Sequence, residues 1–327
     1  MSAIDLTPFG LAVGHATDAA GGTGCTVVRG VDAPLRAGVA VLGRATGTRE
    51  LALLAPGHLV DRVDALLLTG GSAYGLDAAA GVMRWMEERG HGFPVGGGVV
   101  PIVPAAVIFD LAPCGRFDAR PTPAMAYDAC DRARPVVDAQ GSVGAATGAT
   151  VGKLLGPAGA MKGGFGAAVV GEGDGACAAL VVVNAFGDVR ARGGRIVAVG
   201  RAPEGGFVDT RARLAHGGAP PDRYGAADAP PNTTLAVVAV RRPLDRAALG
   251  GLVAAADVAQ HRRITACGTS FDGDVVFALG PAAPAVALPP GEAVAQKSRA
   301  ALALALAVER AVWLAAGRDG IPGLADG

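Results

Sequence analysis

The chain has 327 residues, of which 51% are hydrophobic and 18% charged, so it can bury a sizeable core as one large domain or two ordinary ones. Its 29 basic and 29 acidic residues cancel. This balance indicates neither a nucleic acid nor a membrane surface as a partner.

Cysteine and histidine usage argues against a disulfide framework and a metal site. The five cysteines are scattered without C-x-x-C spacing, and the five histidines form no H-x-x-x-H pair.

The N-terminus lacks a basic region followed by an apolar core, and the apolar stretch at 300–308 is too short to span a bilayer. We therefore expect a cytoplasmic protein without metal or cofactor.

Strand and helix patterns alternate along the chain and predict an α/β protein. Apolar runs bounded by glycine and proline predict strands, and helical spacing of apolar residues predicts helices. In chain order, the predicted elements are strands 25–29, 37–42 and 63–68, helix 77–88, strand 107–111, helix 122–133, strand 178–183, a strand from Thr233, helix 244–260, strand 274–279 and helix 293–316.

A polar segment rich in glycine and proline, residues 204–231, predicts a linker or surface loop that ends directly before Asn232. One interpretation is an interdomain linker, with a second domain of 95 residues beginning at Thr233. The other is an accessible approach to a cleavage site within one unit. We favour one unit, because the C-terminal piece is small and its apolar helix needs a partner surface.

The sequence Pro231-Asn232-Thr233-Thr234 places a threonine at the start of an apolar strand. If the bond between Asn232 and Thr233 breaks, the freed α-amine becomes a general base beside the Thr233 hydroxyl. With a pKa of about 8, this amine is neutral often enough near neutral pH to accept a proton. The alternative is that Asn-Thr-Thr merely opens a strand.

Two glycine-rich loops are candidates for lining a site. The loop at 69–76 lies between a strand and a helix but lacks a nucleotide-binding pattern, so it predicts tight packing beside a pocket. The stretch 141–166 carries Lys153 and Lys162 among glycines that allow a close approach to a ligand. A lysine beside a nucleophile can lower its pKa or orient it; the alternative is two solvated loop lysines.

Polar residues at strand ends supply the remaining candidates. Asn184 ends an apolar strand, where its amide can be a turn former or a donor to an oxyanion. Asp272 and Asp274 precede another strand with the spacing that places two side chains on one face. They could orient a nucleophile, or form an exposed turn.

Together and in this order, these motifs resemble the DmpA-type self-processing aminopeptidases, which include β-peptidyl aminopeptidases, nylon-oligomer hydrolases and a pantetheine hydrolase. The resemblance covers nearly the whole chain, and the Asn-Thr-Thr form is most similar to the nylon-oligomer and pantetheine hydrolase branch. The matching segments are 13–18, 21–26, 69–76, 144–153, 162–166, 183–185, 232–234 and 271–274.

The resemblance implies a four-layer α-β-β-α sandwich of the DmpA and ornithine acetyltransferase type, with an N-terminal nucleophile. It also implies that a single domain, 1–327, cuts itself into an α piece, 1–232, and a β piece, 233–327. These pieces remain together and assemble as a homo-oligomer, expected as a tetramer of αβ pairs. Carried onto this sequence, the roles are Thr233 as nucleophile and base, Asn184 at the oxyanion, Asp272 and Asp274 orienting the nucleophile, and one of Lys153 and Lys162 beside it.

The expected activity is hydrolysis of peptide or linear amide bonds through an acyl-enzyme, as in an aminopeptidase or an ω-amino-amide hydrolase. Two alternatives stay open. One is an acyltransferase related to ornithine acetyltransferase, which passes the acyl group to an amine; the other is an uncleaved relative without catalysis. The substrate itself is not predicted by the sequence.

Overall fold

The computed structural model describes residues 3–55, 57–218 and 232–327. Two five-stranded sheets form its centre, and their ten strands follow one another along the chain. They are β1 (Leu11–Asp18), β2 (Thr23–Gly30), β3 (Leu35–Val41), β4 (Thr48–Arg49), β5 (Ala65–Thr69), β6 (Ala105–Val107), β7 (Gly164–Val170), β8 (Cys177–Asn184), β9 (Thr233–Val240) and β10 (Val275–Pro281).

The helices and the smaller sheets complete the described structure. The α-helices are α1 (Ala79–Glu87), α2 (Pro123–Asp131), α3 (Thr210–Ala215), α4 (Arg246–Arg263) and α5 (Pro290–Trp313). The short paired strands are Ile4–Asp5 with Val136–Val137, Phe93–Val95 with Gly98–Val100, Thr150–Val151 with Met161–Lys162, Gly200–Arg201 with Phe207–Val208, and Asp188–Arg190 between Ile196–Ala198 and Ile264–Thr265.

The first sheet has the strand order β1-β2-β5-β6-β4, and the second has the order β7-β8-β9-β10-β3. Strand β9 therefore lies at the centre of the second sheet. It is antiparallel to β8, with Thr233 opposite Asn184, and parallel to β10. This register places the start of β9 beside the end of β8.

Three hydrophobic cores show that the two sheets and the helices form four layers. Between the sheets, side chains of the first sheet such as Leu66 and Leu68 pack with side chains of the second such as Leu235 and Phe277. The alternate residues of the first sheet pack against α1 and α2, and those of the second against α4 and α5. Because both faces of each sheet are covered, the strands appear as continuous apolar runs. The predicted α-β-β-α sandwich is confirmed.

Two sequence predictions, strand 107–111 and linker 204–231, were wrong in position or extent, and the long strands β1 and β7 were not predicted. The strand predicted at 107–111 is Ala105–Val107, because the chain after Val107 bends to bond neighbouring loops. Strand β7 was not predicted, and the reason is its glycines: a β-carbon at Gly164 or Gly166 would lie 2.0 Å from a carbonyl oxygen of α5. Close packing against α5 thus requires glycine at these positions, and glycine has a low strand propensity.

The predicted linker 204–231 is partly regular structure. The strand Phe207–Val208 and helix α3 occupy its first part, so the prediction is wrong there. Asp209 caps α3 by accepting a hydrogen bond from the amide of Ala212, and Thr210 is buried against Asp188. Residues 219–231, the rest of that segment, lie outside the described residues. None of the helices described is both long and apolar enough to cross a membrane.

Candidate active site

Thr233 begins β9 and is almost fully buried, and its hydroxyl group lies directly against the preceding peptide bond. Its Oγ donates to the carbonyl oxygen of Asn232 at 2.6 Å. The backbone N–H of Gly273 donates to the same oxygen, also at 2.6 Å. The Asn232 carbonyl is therefore polarised by two donors, and one of them is the hydroxyl of the adjacent threonine.

Gly273 is a site residue that the sequence analysis missed. A β-carbon at this position would lie 2.7 Å from Thr233 Oγ and 2.7 Å from the carbonyl oxygen of Ala45. Because glycine has no β-carbon, the backbone at residue 273 can approach Thr233 closely enough for its N–H to donate to the carbonyl oxygen of Asn232. The available signal was a glycine placed between Asp272 and Asp274.

Asn184 lies opposite Thr233 in the sheet, fully buried, with its amide group fixed by three bonds. Its Oδ1 accepts from the N–H of Thr150 at 3.0 Å and from Lys153 Nζ at 2.8 Å. Its Nδ2 donates to the carbonyl oxygen of Phe109 at 3.0 Å. Because an amide nitrogen carries two N–H bonds, one donor remains for a substrate oxygen.

Lys153 contacts the end of β8 that faces Thr233. Its Nζ donates to both the side-chain and the main-chain oxygen of Asn184, the latter at 3.1 Å. Burial lowers the pKa of Lys153 to about 7, and the negative charge of Asp272 opposes this effect. Lys153 is therefore a buried ammonium group that changes its protonation near neutral pH.

Lys162 makes a different set of contacts, away from Asn184. Its Nζ donates to the carbonyl oxygens of Thr147 at 2.7 Å and Ala149 at 2.8 Å. Burial lowers its pKa to about 8. Of the two candidate lysines, it is thus Lys153 that the structure brings to the residue opposite Thr233, whereas Lys162 supports the glycine-rich loop.

Asp272 and Asp274 are both buried beside the start of β9. Asp274 accepts from the amide of Thr234 through one oxygen and from the amide of Gly268 through the other, the latter at 3.0 Å. Burial and then the charge of Asp272 raise the pKa of Asp274 to about 6. Asp272 accepts from the amide of Thr269 at 2.7 Å, and burial raises its pKa as well. The two carboxylates hold the loop before β10 against the start of β9.

The predicted pocket-lining loop at 69–76 is tied to the site through Asp110, another residue that the sequence analysis missed. Asp110 accepts from the amide of Gly71 and from the hydroxyl of Thr23, each at 2.7 Å. Burial raises the pKa of Asp110 to about 6. The residue before it, Phe109, accepts the bond from Asn184 described above. A lone aspartate in an apolar stretch was the only sequence signal.

Within the described ranges, no group of three or more histidine, cysteine, aspartate or glutamate side chains is arranged to hold a metal ion. The arrangement brings together a threonine hydroxyl, amide donors, a lysine and two carboxylates. These are the groups that acyl transfer requires.

Residues 6–318 match the family described as "Peptidase family S58". The chain belongs to peptidase family S58. Similar relatives include an uncharacterized aminopeptidase of Mycobacterium tuberculosis, 45% identical over 257 residues that are 76% of this chain and 70% of the relative. Another is the 6-aminohexanoate-oligomer endohydrolase of a Kocuria species, 29% identical over 93% of this chain and 82% of the relative.

Solved structures show where the fold of this S58 member belongs. The β-aminopeptidase of a Burkholderia species superposes with a TM-score of 0.67 at 20% identity, covering 96% of this chain and 88% of that one. The L-aminopeptidase D-Ala-esterase/amidase of Ochrobactrum anthropi gives 0.68 at 18% identity, covering 94% and 84%, and its fold is described as a variant of the Ntn hydrolase fold. The predicted fold and family are confirmed, and the S58 protein is a hydrolase of peptide or amide bonds.

Proposed function

We propose that this S58 hydrolase is activated by its own cleavage between Asn232 and Thr233, and that Thr233 is then its N-terminal nucleophile. The observation that supports this most directly is the bonding of the Asn232 carbonyl oxygen, which accepts from both Thr233 Oγ and the amide of Gly273. A carbonyl that is polarised by a fixed backbone donor is activated toward attack by the adjacent hydroxyl.

The proposed cleavage proceeds in two steps. Thr233 Oγ attacks the Asn232 carbonyl carbon, the C–N bond breaks, and the hydroxyl proton passes to the released nitrogen, which leaves an ester. Water then hydrolyses the ester, giving a carboxylate on Asn232 and a free α-amine on Thr233. During attack, the Gly273 N–H stabilises the developing oxyanion.

The sheet order explains why the two pieces would remain associated. Strands β9 and β10 would belong to the β piece, and they pair between β8 and β3, which would belong to the α piece. The core between the second sheet and helices α4 and α5 likewise contains residues from both sides of the cleavage point. We therefore propose one domain, 1–327, composed of the pieces 1–232 and 233–327. From the resemblance to DmpA-type aminopeptidases, we also propose that such pairs assemble into a homo-oligomer.

In the mature enzyme, the α-amine of Thr233 would accept the hydroxyl proton as Oγ attacks the substrate carbonyl, and return it to the leaving amine. The second N–H of Asn184 and the Gly273 amide would stabilise the oxyanion. Lys153, fixed on Asn184, would add positive charge nearby, while Asp272 and Asp274 hold the loop that carries Gly273. Water then releases the acyl group.

The proposed substrate class is short peptides and linear amides with a free amino end. Support comes from the names of relatives, an aminopeptidase and an oligomer hydrolase that acts on 6-aminohexanoate chains. Offering a panel of aminoacyl, β-aminoacyl and ω-amino amides would distinguish these subclasses. Adding an amino-acid acceptor would separate hydrolysis from the acyltransferase alternative.

The decisive test is Thr233→Ala, with Thr234→Val as the matched control. Thr234 is also buried, but its hydroxyl makes no hydrogen bond within the described structure. Wild type and Thr234→Val should yield two chains of about 23 and 9 kDa, in proportion to 232 and 95 residues, whereas Thr233→Ala should stay at about 32 kDa and be inactive. Intact-mass spectrometry and N-terminal sequencing measure this. Two chains from Thr233→Ala would reject the proposal.

A further inference from the structure

Arg120 is held in an unusual position between two exposed aromatic rings. Its guanidinium carbon lies 3.5 Å from the ring centroid of Tyr74 and 5.5 Å from that of Phe117. Both rings are largely open, with 53% of Tyr74 and 63% of Phe117 exposed. Stacking orders the guanidinium, and its two terminal nitrogens make no hydrogen bond within the described structure.

No carboxylate in the described structure pairs with Arg120. Six described arginines have a buried Nε without a hydrogen-bond partner, and five of them donate through other guanidinium nitrogens; Arg120 alone makes no hydrogen bond or ion pair there. Its neighbour Arg116 is ion-paired with Asp118 at 3.4 Å. Arg120 is therefore an ordered, half-buried cation without a counter-charge.

Two chains of contacts connect the loop that carries Tyr74 with the residues around Thr233. In the first, Asn184, opposite Thr233, bonds the carbonyl of Phe109, whose neighbour Asp110 bonds the amide of Gly71 in the loop of Tyr74.

The second chain of contacts starts at Gly273 and passes to the segment 45–47. A β-carbon on Gly273 would touch Ala45, and one on Gly47 would lie 3.9 Å from Ala73, the residue before Tyr74. Both paths end in the same loop, and the stacking of Arg120 on Tyr74 joins Arg120 to that loop.

We propose that Arg120 binds the free carboxylate at the C-terminal end of short peptide or linear oligoamide substrates. This inference rests on the proposed function at Thr233. A substrate's terminal carboxylate belongs to the leaving-amine portion, because the chain runs from the scissile carbonyl toward its C-terminus. A planar guanidinium can bind it through two parallel N–H···O bonds. The subsite would favour substrates with a short leaving group.

The test uses two substrates, the dipeptide Ala-Ala and the linear dimer of 6-aminohexanoate. Each is compared, as the free acid, with the same molecule whose C-terminal carboxylate is an amide. For whichever pair wild type hydrolyses faster, Arg120→Gln should raise KM for the free acid about 10-fold and leave kcat/KM for the amide within about twofold. Arg120→Lys should be intermediate, because it keeps the charge but not the paired geometry. Arg116→Gln is the matched control on the same loop and should behave as wild type.

The outcomes separate this inference from the function on which it rests. Equal effects of Arg120→Gln on the acid and the amide, or no effect on either, would overturn the carboxylate subsite and leave the Thr233 nucleophile intact. If the mature wild-type protein hydrolyses neither member of either pair, the proposed substrate class and the subsite are both overturned, whereas the cleavage at Thr233 stands. A loss of preference for the acid in Arg120→Gln, with maturation unchanged by intact mass, would establish the subsite.

Discussion

Lys153 and Lys162 lie in the same glycine-rich stretch, are both buried, and both have a lowered pKa, yet they contact different parts of the molecule. Lys153 donates to Asn184, the residue opposite Thr233. Lys162 donates to two loop carbonyls and has Asp110 among its neighbouring charges. The two lysines thus share residue type and burial, and only their bonding partners distinguish the lysine beside the proposed nucleophile from the one that supports the loop.

This comparison shows that burial and a perturbed pKa do not by themselves make a lysine a catalytic candidate. Desolvation is the largest cause of the lowered pKa in both residues, so the shift reports burial equally for each. The partner decides the role: Asn184 can reach a substrate oxygen, whereas the carbonyls of Thr147 and Ala149 are acceptors only.

The largest expected effect follows from Lys153→Met. This change removes the donor to both oxygens of Asn184 and the positive charge near the oxyanion. Self-cleavage and kcat/KM should each fall by about 10³-fold, the loss typical of removing a preorganised oxyanion-stabilising group. Intact-mass time courses and steady-state kinetics on a hydrolysed amide measure the two effects.

Lys162→Met serves as the control for that experiment. If Lys153→Met matured and hydrolysed amides as fast as wild type while Lys162→Met did not, the assignment of the two lysines would be reversed.

A moderate effect, on stability and not on chemistry, is expected for Lys162→Met. The carbonyl oxygens of Thr147 and Ala149 would lose their buried donor, at a cost of about 3 kcal/mol in the free energy of unfolding. Cleavage at Thr233 should continue. Urea unfolding in a Thr233→Ala background measures the cost, because that chain should remain continuous.

An unchanged urea midpoint in that background, together with lost cleavage in the Lys162→Met single variant, would show that Lys162 acts on the chemistry.

Much of this fold could be predicted from sequence, because the strands of the second sheet are apolar on both faces. Runs such as 178–183 and the one after Thr233 are too continuous for surface segments. Strand β7 could not be predicted, since its glycines are explained by the approach of α5, which is a tertiary fact. The first-sheet strand near 107 was misplaced because the bonds of Asp110 are long-range.

For the site, the sequence supplied residue types and the structure supplied their partners. Thr233 and Asn184 stand in recognisable positions at strand ends, and the paired aspartates near them share a short motif. The choice between the two lysines depends on how the glycine loop folds: Gly152, with φ of 68°, turns the chain directly before Lys153. That turn and the Gly273 amide are backbone features without a side-chain signature.

The smallest expected effect is a difference in how stability depends on pH. Lys153 and Lys162 have folded pKa values of about 7 and 8, against 10.5 ordinarily, so above these values the unfolded chain binds more protons and stability rises with pH. Asp274, raised from 3.8 to about 6, makes stability fall only up to that pH, and buried thiols such as Cys25, raised from 9.0 to about 12, oppose part of the rise from about pH 8 upward. Between pH 7 and 9, the Thr233→Ala chain should therefore gain on the order of 2 kcal/mol in its free energy of unfolding. Adding Lys153→Met should remove the part of the gain that begins near pH 7, and adding Lys162→Met should remove the part that begins near pH 8. Urea titrations at pH 7, 8 and 9 resolve the two onsets, and coincident onsets would mean that the two lysines differ in their partners but not in their burial.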